Sequence, residues 1–342
     1  MRGGRGTPGA SATVRQRAGG TGNARRPRLR QGRSGGYCSG VKAEPSGLAE
    51  LTFSLAGAGR VGSSLAHWTG AAGARAVAVG YRSSAGRAGE LAAELGAVAT
   101  PLAELATGGQ DLLLVAVADP ALPEVARRLA ARPQARVVLH TSGAVGAAVL
   151  SPLAGADRQL GSVHPLKAFP RVLARPEEAH RVFFALDGDP EARALGERLV
   201  AAWGGVAGTV PGELRTLYHL AAWLSAGGVT TLLATAARVA DRAGLPPEVV
   251  GGYLGLARGA LAAAEAAVAA GGGPAEVITG PVARGDDETL ARQLAALEEK
   301  LPELLPLVAV LGRATLDRLG ERGPLSDDQD RLAQRLARVL GF

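Results

Sequence analysis

Arg215 and His219 stand four residues apart in a stretch with helical character, so both project from one face. A guanidinium there can hold an anionic or carbonyl oxygen, because it keeps its charge at any working pH. An imidazole beside it can deliver or accept a proton near neutrality. Tyr218 lies next to them. Three further groups fall where apolar runs give way to polar residues: Ala118-Asp119, Thr141-Ser142-Gly143 and His164-Pro165. Thr141 and Ser142 carry hydroxyls that can bond a ribose, an amide or a substrate oxygen. His140 and His164 can carry protons, or can equally be satisfied structural residues on strands. Residues 279–286, Thr-Gly-Pro-Val-Ala-Arg-Gly-Asp, break helical pattern and present Arg284 and Asp286 on a loop. Arg284 can close over a substrate anion, and Asp286 can cap the helix that follows.

These groups need a scaffold, and the most informative stretch for it begins at Leu51. An apolar run enters Gly57-x-Gly59-x-x-Gly62, with Arg60 and Val61 between the last two glycines, and continues as Ser63-Ser64-Leu65-Ala66-His67-Trp68. Strand, tight glycine turn and helix start form a dinucleotide-binding pattern. Gly57 permits the turn, Gly59 lets backbone approach a pyrophosphate, and Gly62 lets the helix pack on the strand. The anion then sits at the helix N-terminus, where unpaired N–H groups and the helix dipole favour negative charge. The end of the second strand discriminates between cofactors. An acid there would bond a ribose 2′-hydroxyl. This chain has Tyr81-Arg82-Ser83-Ser84 and no acid before Glu90. Arg82 can pair with a 2′-phosphate and Ser83 can bond it, which favours NADP. A merely solvated Arg82 would leave NAD.

Units alternate after this turn. Strands are predicted over 51–56, 74–81, 97–100, 111–118, 136–140 and 159–163, with a last one over 182–186. Helices are predicted over 60–69, 84–95, 120–131 and 190–203. The alternation predicts an α/β fold with a mostly parallel, doubly wound sheet. From about residue 211 only helical patterns remain: 213–243 as one long helix, 246–270, 286–300, 302–322 and 326–340. Ser326-Asp-Asp-Gln329 has capping-box spacing. The predicted organisation is a basic, disordered extension over 1–48, a nucleotide-binding domain over 49–210, and an all-α domain over 211–342 for substrate and dimerisation.

Composition narrows the function classes. Of 38 basic residues, ten lie in 1–42, a segment without a single acid. The remaining 28 face 31 acids, so the body of the protein is mildly acidic and a nucleic-acid-binding body is not expected. The single cysteine, Cys38, rules out an intrachain disulfide or a cysteine-based metal cluster, and no metal site is expected. A reducing, cytoplasmic setting is the simplest expectation. Residues 216–237 carry no charge and are long enough to span a bilayer. His219, Ser225, two glycines and four threonines in that run favour a buried helix instead.

The glycine pattern, Ser162-Val-His164-Pro165-Leu166-x-x-Phe169, Arg215-x-x-Tyr218-His219 and Gly280-Pro-Val-Ala-Arg284-Gly-Asp286 together resemble a bacterial family. Its members join a Rossmann-like domain to a C-terminal domain of unknown function of the DUF2520 type. The resemblance covers about residues 50–300 and extends to the wider 6-phosphogluconate dehydrogenase-like group. It implies an NADP-binding N-terminal domain, an all-α C-terminal domain and a homodimer built from the helices. β-Hydroxyacid dehydrogenases and ketopantoate reductase in that group carry a catalytic Lys and an Asn four residues later, where this chain has Arg215 and His219. Members of the family often have Asn where Gly227 stands. The His164-Pro165-Leu166 segment is similar to one in prephenate dehydrogenases, which implies a small, carboxylate-bearing substrate. The expected activity is NADP-dependent hydride transfer to or from a carbonyl, imine or hydroxy acid, with Arg215, His219, His164 and Ser142 at the chemistry. The alternative is a non-catalytic NADP-binding sensor or interaction protein.

Overall fold

The apolar runs build a single eight-stranded sheet in the computed structural model, which describes residues 48–341. The chain passes through β1 (Thr52–Ala56), α1 (Arg60–Ala71), β2 (Arg75–Tyr81), α2 (Gly86–Glu94), β3 (Val98–Pro101) and β4 (Leu112–Val115). It continues through α3 (Leu122–Ala130), β5 (Val137–His140), β6 (Gln159–Pro165), β7 (Phe183–Gly188), α4 (Pro190–Ala202) and β8 (Val206–Thr209). The strand order is β3-β2-β1-β4-β5-β6-β7-β8. All neighbours are parallel except β6 and β7. Strands β4 and β5 are buried at every position, as an unbroken apolar run covered on both faces must be. The order reverses between β1 and β4, which opens a crevice at their C-terminal ends.

One correction concerns the sheet, which is mostly parallel as expected. The strand expected last, β7, is followed by β8, a short edge strand of mixed small residues too weakly patterned to stand out. β7 also runs antiparallel to β6. The predicted arm over 1–48 lies outside the described residues, apart from Leu48, which is buried in the core.

Helix α1 is fixed firmly against the sheet. Trp68 is buried in an aromatic cluster with Phe184, Trp203 and Phe169, and its Nε1 donates to the Arg175 carbonyl at 3.0 Å. Ser64 Oγ donates to the Arg60 carbonyl and accepts from the Leu173 N–H. These contacts hold the helix start at the crevice.

After β8 come α5 (Arg215–Trp223), a π-helical turn (Leu224–Gly228), α6 (Val229–Arg242), α7 (Val249–Ala269), α8 (Pro281–Arg284), α9 (Asp287–Lys300), α10 (Leu305–Gly320) and α11 (Asp327–Val339). The long helix predicted over 213–243 is thus interrupted by a π turn. A Cβ on Gly227 would lie 2.9 Å from the Trp223 ring, so the bare glycine makes room for that indole. Burial is the larger correction. Only Arg215 is buried in α5, only Ala240 in α6, and nothing in α7. The apolar face expected to be covered is open, because no other segment of the described chain packs over it. Ser326 and Gln329 form the predicted capping box on α11. Helices α9–α11 enclose a separate small core around Leu290, Leu316 and Leu332.

The glycine turn generates a stability prediction. A Cβ on Gly62 would lie 2.2 Å from the Gly57 carbonyl oxygen, a backbone atom that cannot step aside. Gly62→Ala is expected to lower unfolding free energy by about 1–3 kcal/mol in urea denaturation.

Candidate active site

Backbone geometry shapes the side of the crevice at the glycine turn. Gly57 takes φ +106°, and a Cβ there would lie 2.5 Å from the Ala116 carbonyl oxygen. Gly59 faces open space, with nothing within 4 Å of a Cβ position. It is the N-cap of α1, and no side chain caps that helix end. One glycine is required by the turn, one by helix packing, and one leaves the helix N-terminus accessible to an anion.

Two adjoining clefts meet at Gly59. One, of about 540 Å³, is lined by Gly57, Tyr81, Arg82, Ser83, Arg87 and Ala118, among others. The other, of about 590 Å³, is lined by Gly59, Arg60, Val61, Ala118, Thr141 and Ser142, and continues to His164, Lys167, Phe169 and His219. The structure therefore brings every expected nucleotide-side residue to one crevice, Gly62 standing behind it. Ser142, His164 and His219 join them. Arg82 makes no ion pair among the described residues.

Two expected residues are elsewhere. Arg215 is fully buried and does not line either cleft. Its Nε donates to the Val210 carbonyl at 3.0 Å, and Nη2 donates to Ser162 Oγ at 2.7 Å and the Ala185 carbonyl at 3.2 Å. Nη1 reaches the Ser142 carbonyl at 3.4 Å. Burial pulls its pKa down while nearby Asp187 opposes that shift. Its donors are committed to the wall of the site, so it positions that wall rather than facing the cleft. Arg284 is exposed on α8, a short helix where a loop was expected. That helix packs on α9, α10 and α11, which keeps Arg284 off both clefts. Asp286 caps α9 through the Thr289 N–H at 3.0 Å.

The histidines separate by environment. His140 is fully buried and its Nδ1 accepts from the Ser142 N–H at 3.1 Å, which holds the Thr141-Ser142-Gly143 turn. Burial, reinforced by the Arg215 charge, takes its pKa down to about 4. His164 is half-buried, and its Nδ1 meets the Tyr218 hydroxyl at 2.9 Å. Burial, then the charges of Arg215 and the neighbouring histidines, lowers its pKa to about 4. His219 is exposed in the cleft, its ring 6.2 Å from that of His164.

Arg87 and Lys167 are the cleft residues the sequence reading passed over. Arg87 stands on the first turn of α2, directly after the short bend that follows β2. Lys167 is one of only two lysines after residue 42, directly behind the His-Pro segment. Its rarity was the available signal.

Fold and crevice together define a Rossmann-type α/β protein with a helical C-terminal part. A Rossmann-like domain profile matches residues 42–165, and the domain of unknown function DUF2520 matches 182–315. The chain belongs to the proteins that join these two domains. No curated protein matches it. Among solved structures it is similar to a candidate NADP oxidoreductase from Bacteroides fragilis, at 23% identity and TM-score 0.62 over 78% of this chain and 97% of that one. A Thermotoga maritima protein matches at 20% identity and TM-score 0.63, over 79% and 99%. The 1-pyrroline-5-carboxylate reductase of Streptococcus pyogenes matches at 16% identity and TM-score 0.53, over 82% and 100%.

The buried histidine sets an acid limit. An unfolded imidazole takes up its proton near 6.5, whereas His140 in the fold does so only near 4. Between these values the unfolded chain binds more protons, so stability is lost as pH falls through that window. The loss from His140 is at most about 3 kcal/mol. Denaturant titrations from pH 7 to 4 are expected to show it, and a His140→Asn variant to show a shallower dependence.

Proposed function

We propose that the protein is an NADP-dependent oxidoreductase that passes hydride between the nicotinamide and a small carbonyl, imine or hydroxy acid. The observation that carries this reading is the continuity of the crevice. It runs from Arg82 and Ser83, past the bare helix N-terminus at Gly59, to His164 and His219 on the far wall. The residues at the end of β2 fit a 2′-phosphate, with an unpaired arginine, serines and no acid. NADP held there supplies the hydride chemistry. His219, exposed in the cleft, carries the proton. Neutral His164 polarises the reacting oxygen, and Ser142 lines the same wall. Lys167, without an ion pair among the described residues, gives a carboxylate on the substrate a partner. Arg215 acts through the residues it holds.

The burial of Arg215 favours one second reading, a non-catalytic NADP-binding sensor, because the group at this position does not reach the cleft. Both readings require the cofactor and part at turnover. In calorimetric titration NADPH is expected to bind more tightly than NADH. Arg82→Ala is expected to weaken NADPH by about ten- to a hundredfold and leave NADH nearly unchanged. NADPH oxidation across keto acids and cyclic imines then separates enzyme from sensor. No binding of either nucleotide overturns both.

We further propose a homodimer through the helical part. Twelve large apolar residues between Leu214 and Val268 are exposed, among them Trp223, Leu254 and Leu256. The face spans α5, α6 and α7, and the same patch on a second copy is self-complementary about a twofold axis. One helix, Gly212–Arg242, is also long and apolar enough to cross a membrane. Sedimentation is expected to give twice the chain mass of 34.5 kDa, and Leu256→Asp to give the single mass. A monomeric wild type, or a chain that partitions into lipid vesicles, overturns the dimer.

A further inference from the structure

Tyr218 has no part in the chemistry described so far, yet its hydroxyl is the direct partner of a cleft histidine. Arg215, Tyr218 and His219 fall on one face of α5, three and four residues apart. The donors of Arg215 to Ser162, Ala185, Val210 and the Ser142 carbonyl clamp the first turn of α5 to the sheet. One turn later, Tyr218 is brought over the end of β6. There its hydroxyl meets His164 Nδ1 at 2.9 Å, with the two rings edge to face at 5.5 Å. The Arg215 guanidinium carbon lies 5.9 Å from the centre of the tyrosine ring.

We infer that Tyr218 is a positioning residue that fixes His164 in the tautomer with its proton on Nε2, so that a neutral imidazole presents an N–H donor to the substrate oxygen. A neutral imidazole has one donor and one acceptor nitrogen. If Nδ1 carried the proton, it would donate to the tyrosine oxygen, and the phenolic hydrogen would lack an acceptor among the described residues. If the phenol, the more acidic of the two donors, donates to Nδ1, the hydrogen left over is the one on Nε2, on the side of the ring away from Tyr218. The other edge of the ring faces the cleft wall at Gly143. A Cβ on that glycine would lie 2.6 Å from His164 Nε2, so only the bare residue leaves the ring this position. Burial, then the Arg215 charge on α5, also keeps the ring neutral. A neutral imidazole that donates to a carbonyl polarises it without giving up its proton. The proton itself then comes from His219. The inference rests on the oxidoreductase reading for its purpose, but the tautomer is a property of the protein alone.

The test uses the full chain with ¹⁵N-labelled histidine at pH 7. The His164 signals are assigned by their loss in His164→Gln. The expected result is a protonated Nε2 and a bare, hydrogen-bonded Nδ1. Tyr218→Phe, which removes only the hydroxyl, is expected to abolish that preference, leave NADPH affinity unchanged and lower kcat about ten- to a hundredfold. A proton on Nδ1 in the wild type, or an unchanged tautomer in Tyr218→Phe, overturns the inference. Absence of turnover with every substrate overturns the oxidoreductase reading instead, since the spectrum does not depend on activity.

Discussion

The burial of one positive charge is the constraint on which the site depends. Taking a guanidinium out of water costs several kcal/mol even after relaxation. Arg215 offsets that cost by giving its N–H groups to oxygens from residues 142, 162, 185 and 210. Those residues belong to the turn after β5, to β6, to β7 and to the segment after β8. The charge therefore joins four separate parts of the chain to the first turn of α5. Asp187 supplies a counter-charge nearby, and its Oδ2 also accepts from the Ala147 N–H. Without the cation, the polar groups it satisfies would face each other in a dry interior.

The crevice has two halves built by different means. The half at the glycine turn is made of backbone: a turn that needs positive φ, a helix end without a cap, and a strand end lined with serines. The opposite half is made of side chains from remote positions. Ser142, His164, Lys167 and His219 converge because β5 and β6 are neighbours and α5 is clamped across them.

The helical part is built on two scales. Helices α9–α11 close their own small core around Leu316 and Leu332. Helices α5–α7 leave an apolar face open, although burial is worth about 25 cal/mol per Å². The π turn between α5 and α6 belongs to this face, where Trp223 packs over Gly227 with more than half of its surface exposed.

Local features were legible in the sequence because their causes are local. Positive φ at Gly57, the capping box at Ser326, the unbroken apolar run of β4 and the shared face of Arg215, Tyr218 and His219 follow from nearest-neighbour sterics and helical period. The glycine turn and the helix start behind it were readable for that reason. The destination of each charge was not. Arg284 and Arg215 look alike as cations near helix ends, yet one is exposed on α8 and the other is sealed under the site. Arg87 and Lys167 entered the crevice unannounced, and the face of α5–α7 proved open rather than covered. Helical spacing fixes which side chains share a face. What meets that face, and whether water remains there, depends on segments tens of residues away, so only the tertiary structure decides it.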